Sequence, residues 1–306
     1  MVDPRRLVGA ARRRVLRTVR ARSGAARRAR PRSEWSLGPA AGRAGAVWWA
    51  SEARRVTPAV DAVIAPLDDA ARGDIAVVCV TNRPEQAEHV CATLLAQADV
   101  GVLRAVVVLN DEIGDGSVFE QRLTSLELTV LHLAPPVSLG ACLNAGWDIA
   151  GRRYVAKIDD DDVYGPHYVR DAVRVLRWSP AAVVGKHTYL ARLSASATTV
   201  LRFPGHEWRP TGFVAGGTIV ADTARTRSAR FGDSTTGEDT AFLAAVERGG
   251  GLVLATSALD FVQTRHGANT WQVSDDGFAA QAVDLGGDDL APWVTRGMAP
   301  ADGTAI

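Results

Sequence analysis

Four consecutive aspartates, Asp159 to Asp162, stand in the stretch KIDDDDVYGP. They follow an apolar segment directly, where a strand should be ending. Alternation along that strand would send Asp159 and Asp161 to one side and Asp160 to the other. Such a cluster at a ligand edge is costly unless a cation offsets it. A hard divalent ion shared between protein carboxylates and phosphate oxygens would do so. The alternative is a solvated acidic turn that caps the helix after Pro166. Lys157 is the only basic residue adjoining the run. A second acidic pair, Glu238 and Asp239, stands in GEDTAF, ahead of the helix-like TAFLAAVERG. Acids in a first helical turn also serve as ordinary caps. In RHGANTW, Arg265 and His266 follow an expected strand, LDFVQTR. Neutral histidine ligates metals and arginine grips phosphate in bidentate fashion, although a packing histidine fits the same sequence. Trp208 is placed either to stack on a flat ligand face or to fill the core or its rim.

These groups need a scaffold that brings them to one edge. Residues 74–80, 103–110, 126–133 and 154–158 read as short buried strands. A helix is expected over residues 85–97, with Pro84 in its first turn. Another is expected over residues 138–152, with Ser138 as its cap. Repeated strand–helix units imply an α/β fold with a mostly parallel central sheet and flanking helices. Ligands in such folds bind beyond the C-terminal strand ends. No GxGxxG follows the first strand and no Walker sequence occurs, so neither a dinucleotide oxidoreductase nor a P-loop ATPase is expected.

In order along the chain, TNRP, VVVLND, SLGACLNAG, KIDDDD, GEDTAF and RHGANTW resemble the motifs of bacterial family 2 glycosyltransferases with the GT-A fold, a Rossmann-like nucleotide-binding half joined to an acceptor half. The likeness runs from about Asp74 to Thr270. It implies an inverting, metal-dependent, hexosyltransferase-like enzyme of polysaccharide biosynthesis. Such an enzyme moves a sugar from a nucleoside-diphosphate sugar, with Mn2+ or Mg2+, to a glycan, lipid-linked or small-molecule hydroxyl. The resemblance implies that Thr81, Asn82, Arg83, Asn110, Asp111, Asn144, Lys157, Asp159, Asp160 and Arg265 meet the nucleotide sugar. Gly216 and Gly217, in GFVAGGTIV, would form the floor beneath the sugar, where glycine allows close backbone approach. Asp161, Asp159 and His266 would hold the metal; the acid run leaves the register open by one residue. Asp239 would be the general base, with Glu238 orienting it or the acceptor. Trp208 would belong to the acceptor side. A retaining transferase, a nucleotidyltransferase and a non-catalytic, membrane-associated sugar-nucleotide binder are the alternatives.

The flanks differ from this region. Residues 1–32 hold twelve arginines and one acid, Asp3, a charge of about +11, so the remainder of this +1 chain is acidic. This basic arm suits anionic lipid or a solvated, disordered state; specific nucleic-acid binding is not expected. Residues 33–73 read as a helical extension in which Trp48 and Trp49 cover the next domain or touch headgroups. The transferase domain is expected over residues 74–272, and an acidic extension over 273–306 either wraps it or frays. Apolar content is 47%, enough for a substantial core, and Cys79, Cys91 and Cys142 lack metal or disulfide spacing. Buried thiols, the lack of a spanning apolar run and the lack of a signal-peptide pattern predict a cytoplasmic protein, with peripheral contact at the inner face of the plasma membrane.

Overall fold

The computed structural model describes residues 66–112, 114–267 and 282–287, with Phe278, Leu290 and Val294. The basic arm, Trp48, Trp49, Asn269 and most of the C-terminal extension lie outside the described residues. A short helix α1 (Asp69–Arg72) leads into β1 (Ile75–Thr81), followed by α2 (Ala87–Leu95), β2 (Arg104–Leu109), α3 (Ser117–Arg122), β3 (Glu127–His132), α4 (Leu139–Ala150) and β4 (Tyr154–Asp159). Strands β3, β2, β1 and β4 lie side by side and parallel. The apolar runs explain this. Ile75, Val77 and Cys79 enter one core cluster, while Ala76 and Val78 enter the cluster on the opposite face. A strand buried on both faces needs helices on both, which the β–α connections supply. Ser138 caps α4 as expected, its Oγ accepting from Ala141 N at 3.1 Å. All three cysteines are buried free thiols.

After β4 the chain changes character. A two-residue strand β5 (Val163–Tyr164) and helix α5 (Tyr168–Trp178) precede β6 (Val183–Gly185), β7 (Tyr189–Leu193), β8 (Thr198–Arg202), β9 (Arg209–Pro210) and β10 (Val220–Asp222). Then come α6 (Glu238–Arg248), β11 (Val253–Ala255), β12 (Phe261–Arg265) and β13 (Ala282–Asp284). Strands β10, β6, β11 and β9 extend the first sheet to eight strands; β10 runs antiparallel to both neighbours. A second, five-stranded sheet, ordered β13-β8-β7-β12-β5, stands beside it. The part of the C-terminal extension that is described wraps the domain. Strand β13 pairs with β8, Phe278 is fully buried, and Leu290 and Val294 pack on a small core around Leu190 and Leu201.

Candidate active site

The parallel strands end together, and the acids stand at that edge. In the β1–β4 register Val80 faces Asp159, which sets Thr81 beside Asp160. Thr81 Oγ1 donates to Asp160 Oδ2 at 2.5 Å, and Arg83 Nε donates to the same oxygen at 3.1 Å. A second Arg83 nitrogen pairs with Asp160 Oδ1 and reaches Asp161 Oδ2 at 2.9 Å. His266 Nε2 approaches that Asp161 oxygen at 2.9 Å. Asp159 turns elsewhere, with Oδ1 2.7 Å from Lys157 Nζ. The expected sorting of Asp159 with Asp161 is therefore corrected. The strand ends at Asp159 and a turn begins at Asp160, so the two-residue period stops there. Asp162 is buried, and its Oδ1 accepts from Thr264 N at 2.8 Å, tying the acid turn to β12.

Against the acid turn lies the short turn Gly216–Thr218, the stretch expected to form the floor. A Cβ at Gly217 would stand 2.7 Å from Asp159 Oδ2 and 2.9 Å from Asp162 Oδ2. A Cβ at Gly216 would overlap Asp239 Oδ2. The absence of side chains at these two positions lets the acid turn and the start of α6 close on one strip of backbone. Tyr164 fixes that strip: its hydroxyl accepts from Asp159 N at 2.9 Å and donates to Gly217 O at 2.8 Å. Sequence reasoning missed Tyr164. Its signal was an aromatic with a polar tip two residues past the acid run, where a buried hydroxyl needs partners.

Electrostatics follow from burial. The Asp162 carboxyl is pushed well above the usual range by burial, with Asp159 and Asp161 adding to it. Burial raises Asp159 as well, against the pull of Lys157. For Lys157, burial opposes the charge, but Asp159, Asp239 and Glu238 outweigh it and hold the ammonium above its ordinary range. Glu238 is pushed up to about 7, chiefly by burial, with Lys157 opposing and Asp239 adding.

The remaining expected residues are placed as follows. Asn110 caps the end of β2, donating to Ala134 O at 2.7 Å, and Asp111 accepts from Gly114 N at 2.6 Å. Asn82 is exposed beside Arg83. Asn144 holds both backbone groups of Phe231, at 2.9 and 3.0 Å, so its amide braces the segment ahead of Glu238. Arg265 is buried, its guanidinium 5.0 Å from the Phe278 ring centre. Arg83 is bonded to the acid turn. Trp208 packs partly buried against the main core and lines a cavity with Tyr168, Lys186 and Thr218. His89 Nε2 contacts Asp162 O at 2.9 Å.

Among the described residues no group of three or more His, Cys, Asp or Glu side chains converges as a metal cage. Asp161 and His266 nevertheless bring an oxygen and a nitrogen within 2.9 Å of each other. That pair fits a hard divalent ion of the kind that keeps water and substrate phosphate as its other ligands.

The sequence matches no known family model and no curated protein. The fold does have relatives. S. aureus TarS 1–349 in complex with UDP-GlcNAc aligns at TM-score 0.51 and 17% identity, over 68% of this chain and 64% of that one. The mannosyltransferase PcManGT from Pyrobaculum calidifontis, in complex with GDP-Man and Mn2+, aligns at TM-score 0.52 and 16% identity, over 75% of this chain and 68% of that one. The likeness shows the fold, a GT-A-like architecture: a large, mostly parallel sheet with flanking helices.

Proposed function

We propose that this protein transfers a sugar from a nucleoside-diphosphate sugar to a hydroxyl acceptor, with inversion at the anomeric carbon. The observation that carries the reading is the glycine strip. Asp159 Oδ2 abuts Gly217 and Asp239 Oδ2 abuts Gly216, so two carboxylates stand against adjacent glycines; in this reading Asp159 serves the donor side and Asp239 the acceptor side. A sugar lying on that floor has the parallel strand edge on its diphosphate side and Asp239 on its other side.

Asp239 Oδ2 accepts the proton of the acceptor hydroxyl. The hydroxyl oxygen attacks the anomeric carbon, the bond from that carbon to the β-phosphate oxygen breaks, and the nucleoside diphosphate leaves with the bonding pair. One displacement inverts the centre, and no second carboxylate is needed as a nucleophile. Arg83, just after β1 and bonded to Asp160 and Asp161, would meet the diphosphate. Asp161 and His266 would hold a divalent ion, which when bound offsets charge on the diphosphate. Mn2+ suits that oxygen–nitrogen pair, and Mg2+, which favours oxygen ligands, suits it less. The nucleotide sugars and Mn2+ in the two structural relatives support this class of donor.

Isothermal calorimetry of UDP and GDP, with and without Mn2+, tests the donor half. Asp161→Asn is expected to lower the metal-dependent affinity at least tenfold while leaving the fold intact. Equal metal-dependent affinity in D161N and wild type would remove Asp161 from the site.

No helix among the described residues is long and apolar enough to cross a membrane. The +11 charge of residues 1–32 supports peripheral contact with an anionic surface and a glycan or lipid-linked acceptor there. Salt-sensitive co-sedimentation with anionic liposomes, lost when residues 1–32 are removed, is the expected result; equal binding without the arm would exclude it as the anchor.

A further inference from the structure

Lys157 lies beneath the floor of the site. It sits near the end of β4, opposite Val78 of β1, and only 3% of its side chain is exposed. A diphosphate on the floor has almost no access to its ammonium, which argues against the donor-binding role expected from the resemblance. Its neighbours are carboxylates instead. Nζ stands 2.7 Å from Asp159 Oδ1. It also lies 3.5 Å from the point a Cβ would occupy at Gly216, the point that Asp239 Oδ2 overlaps. The ammonium and the Asp239 carboxylate thus border opposite sides of one missing methyl group. Glu238, buried at the start of α6, is a third carboxyl near the same cation.

We propose that Lys157 is a positioning residue that ties the donor-side carboxylate Asp159 to the acceptor-side pair Glu238 and Asp239 through the gap left by Gly216. Asp159 belongs to β4 and Asp239 to α6, two elements that meet over the glycine strip. Like charges on the two sides repel; Asp159 and Asp239 are partly open to water, but the ammonium near both is only 3% exposed, so its attraction to them is weakly screened. A single buried cation between them turns the repulsion into attraction on both sides. It thereby fixes the distance between the carboxylate that faces the donor and the one that faces the acceptor. Only the kinetic consequence of this assignment rests on the proposed transfer reaction.

Urea unfolding of a double-mutant cycle tests the tie without any substrate. The variants are Lys157→Met, Asp159→Asn, Asp239→Asn and their pairs. Lys157 is expected to couple to both aspartates, so each Asn substitution changes the unfolding constant at least threefold less in the K157M background than in wild type. Coupling to Asp159 alone, with additive effects at Asp239, would overturn the proposal. If K157M does not fold, the triple variant K157M/D159N/D239N is expected to fold, because the uncompensated charges are gone; failure of the triple as well would overturn it. A separate kinetic arm follows nucleoside-diphosphate release from UDP- and GDP-sugars with Mn2+, where K157M is expected to lose turnover at saturating donor at least tenfold. A wild type inactive on every donor would sink the transfer reading, while the unfolding cycle would still decide the role of the lysine.

Discussion

At the start of α6 two adjacent acids occupy different surroundings. Glu238 is 5% exposed, while Asp239 is partly open at the glycine strip. Burial raises the Glu238 carboxyl from 4.5 to about 7, so the folded chain holds its proton where the unfolded chain has lost it. Between those two values the folded state binds more protons. Stability therefore falls as pH rises through the window and levels off above it. A shift of that size corresponds to about 3 kcal/mol. Glu238→Gln is expected to remove this slope, as read from urea unfolding at pH 4.5, 6 and 8; an unchanged slope would show that Glu238 is not its source. The acid types were legible from DDDD and GEDTAF alone. Their partners were not. Which way Asp161 turns depends on the strand stopping at Asp159, and a homogeneous run of aspartates marks no such boundary. Tyr164 likewise becomes part of the site only because Gly217 O comes within reach of its hydroxyl.

Among the elements, the turn Gly216–Thr218 has little room for change. A Cβ at Gly217 would meet two carboxylate oxygens at 2.7 and 2.9 Å and the Tyr164 hydroxyl at 3.1 Å. All three belong to the acid turn and its brace, so Gly217→Ala must displace the site. Metal-dependent UDP or GDP affinity is expected to fall at least tenfold in G217A. Gly249→Ala, at the end of α6, meets only ordinary contacts near 3.5 Å and is expected to leave affinity within twofold of wild type. Equal effects of the two substitutions in calorimetry would contradict the assigned floor. The strands of the parallel half were legible because they are long and largely apolar, although β3, expected to be buried, is half-exposed at the sheet edge while β2 is buried. Expected strands at 103–110 and 126–133 appear as β2 and β3, each one residue shorter at either end. Strands β5, β6, β9 and β10 have two or three residues each, too few to show any period. They are strands because the sheets beside them supply partners, a long-range cause that no local window carries.

For the molecule as a whole, the two sheets depend on chain that looked peripheral. Phe278 is fully buried, with the Arg202 guanidinium 3.9 Å from its ring centre and that of Arg265 at 5.0 Å. Arg265 immediately precedes His266, so this packing also supports the approach to Asp161. Phe278→Ala is expected to cost about 3–5 kcal/mol in urea unfolding, the range for an emptied aromatic core position. A loss under about 1 kcal/mol would mean that the extension is dispensable. Its Gly- and Ala-rich, acidic composition gave no periodic signal, which is why wrapping and fraying could not be separated by reading alone. The central claim, sugar transfer across the glycine strip, is tested most directly by product analysis. Wild type and Asp239→Asn would be incubated with UDP-, GDP- and dTDP-sugars, Mn2+ and candidate hydroxyl acceptors, and the released nucleotide and the product anomer identified by NMR. The expected result is release of a nucleoside diphosphate from one donor class, an inverted product, and a D239N turnover lower by about 10² or more at nearly unchanged nucleotide affinity. Pyrophosphate release, a retained anomer or full D239N turnover would contradict it.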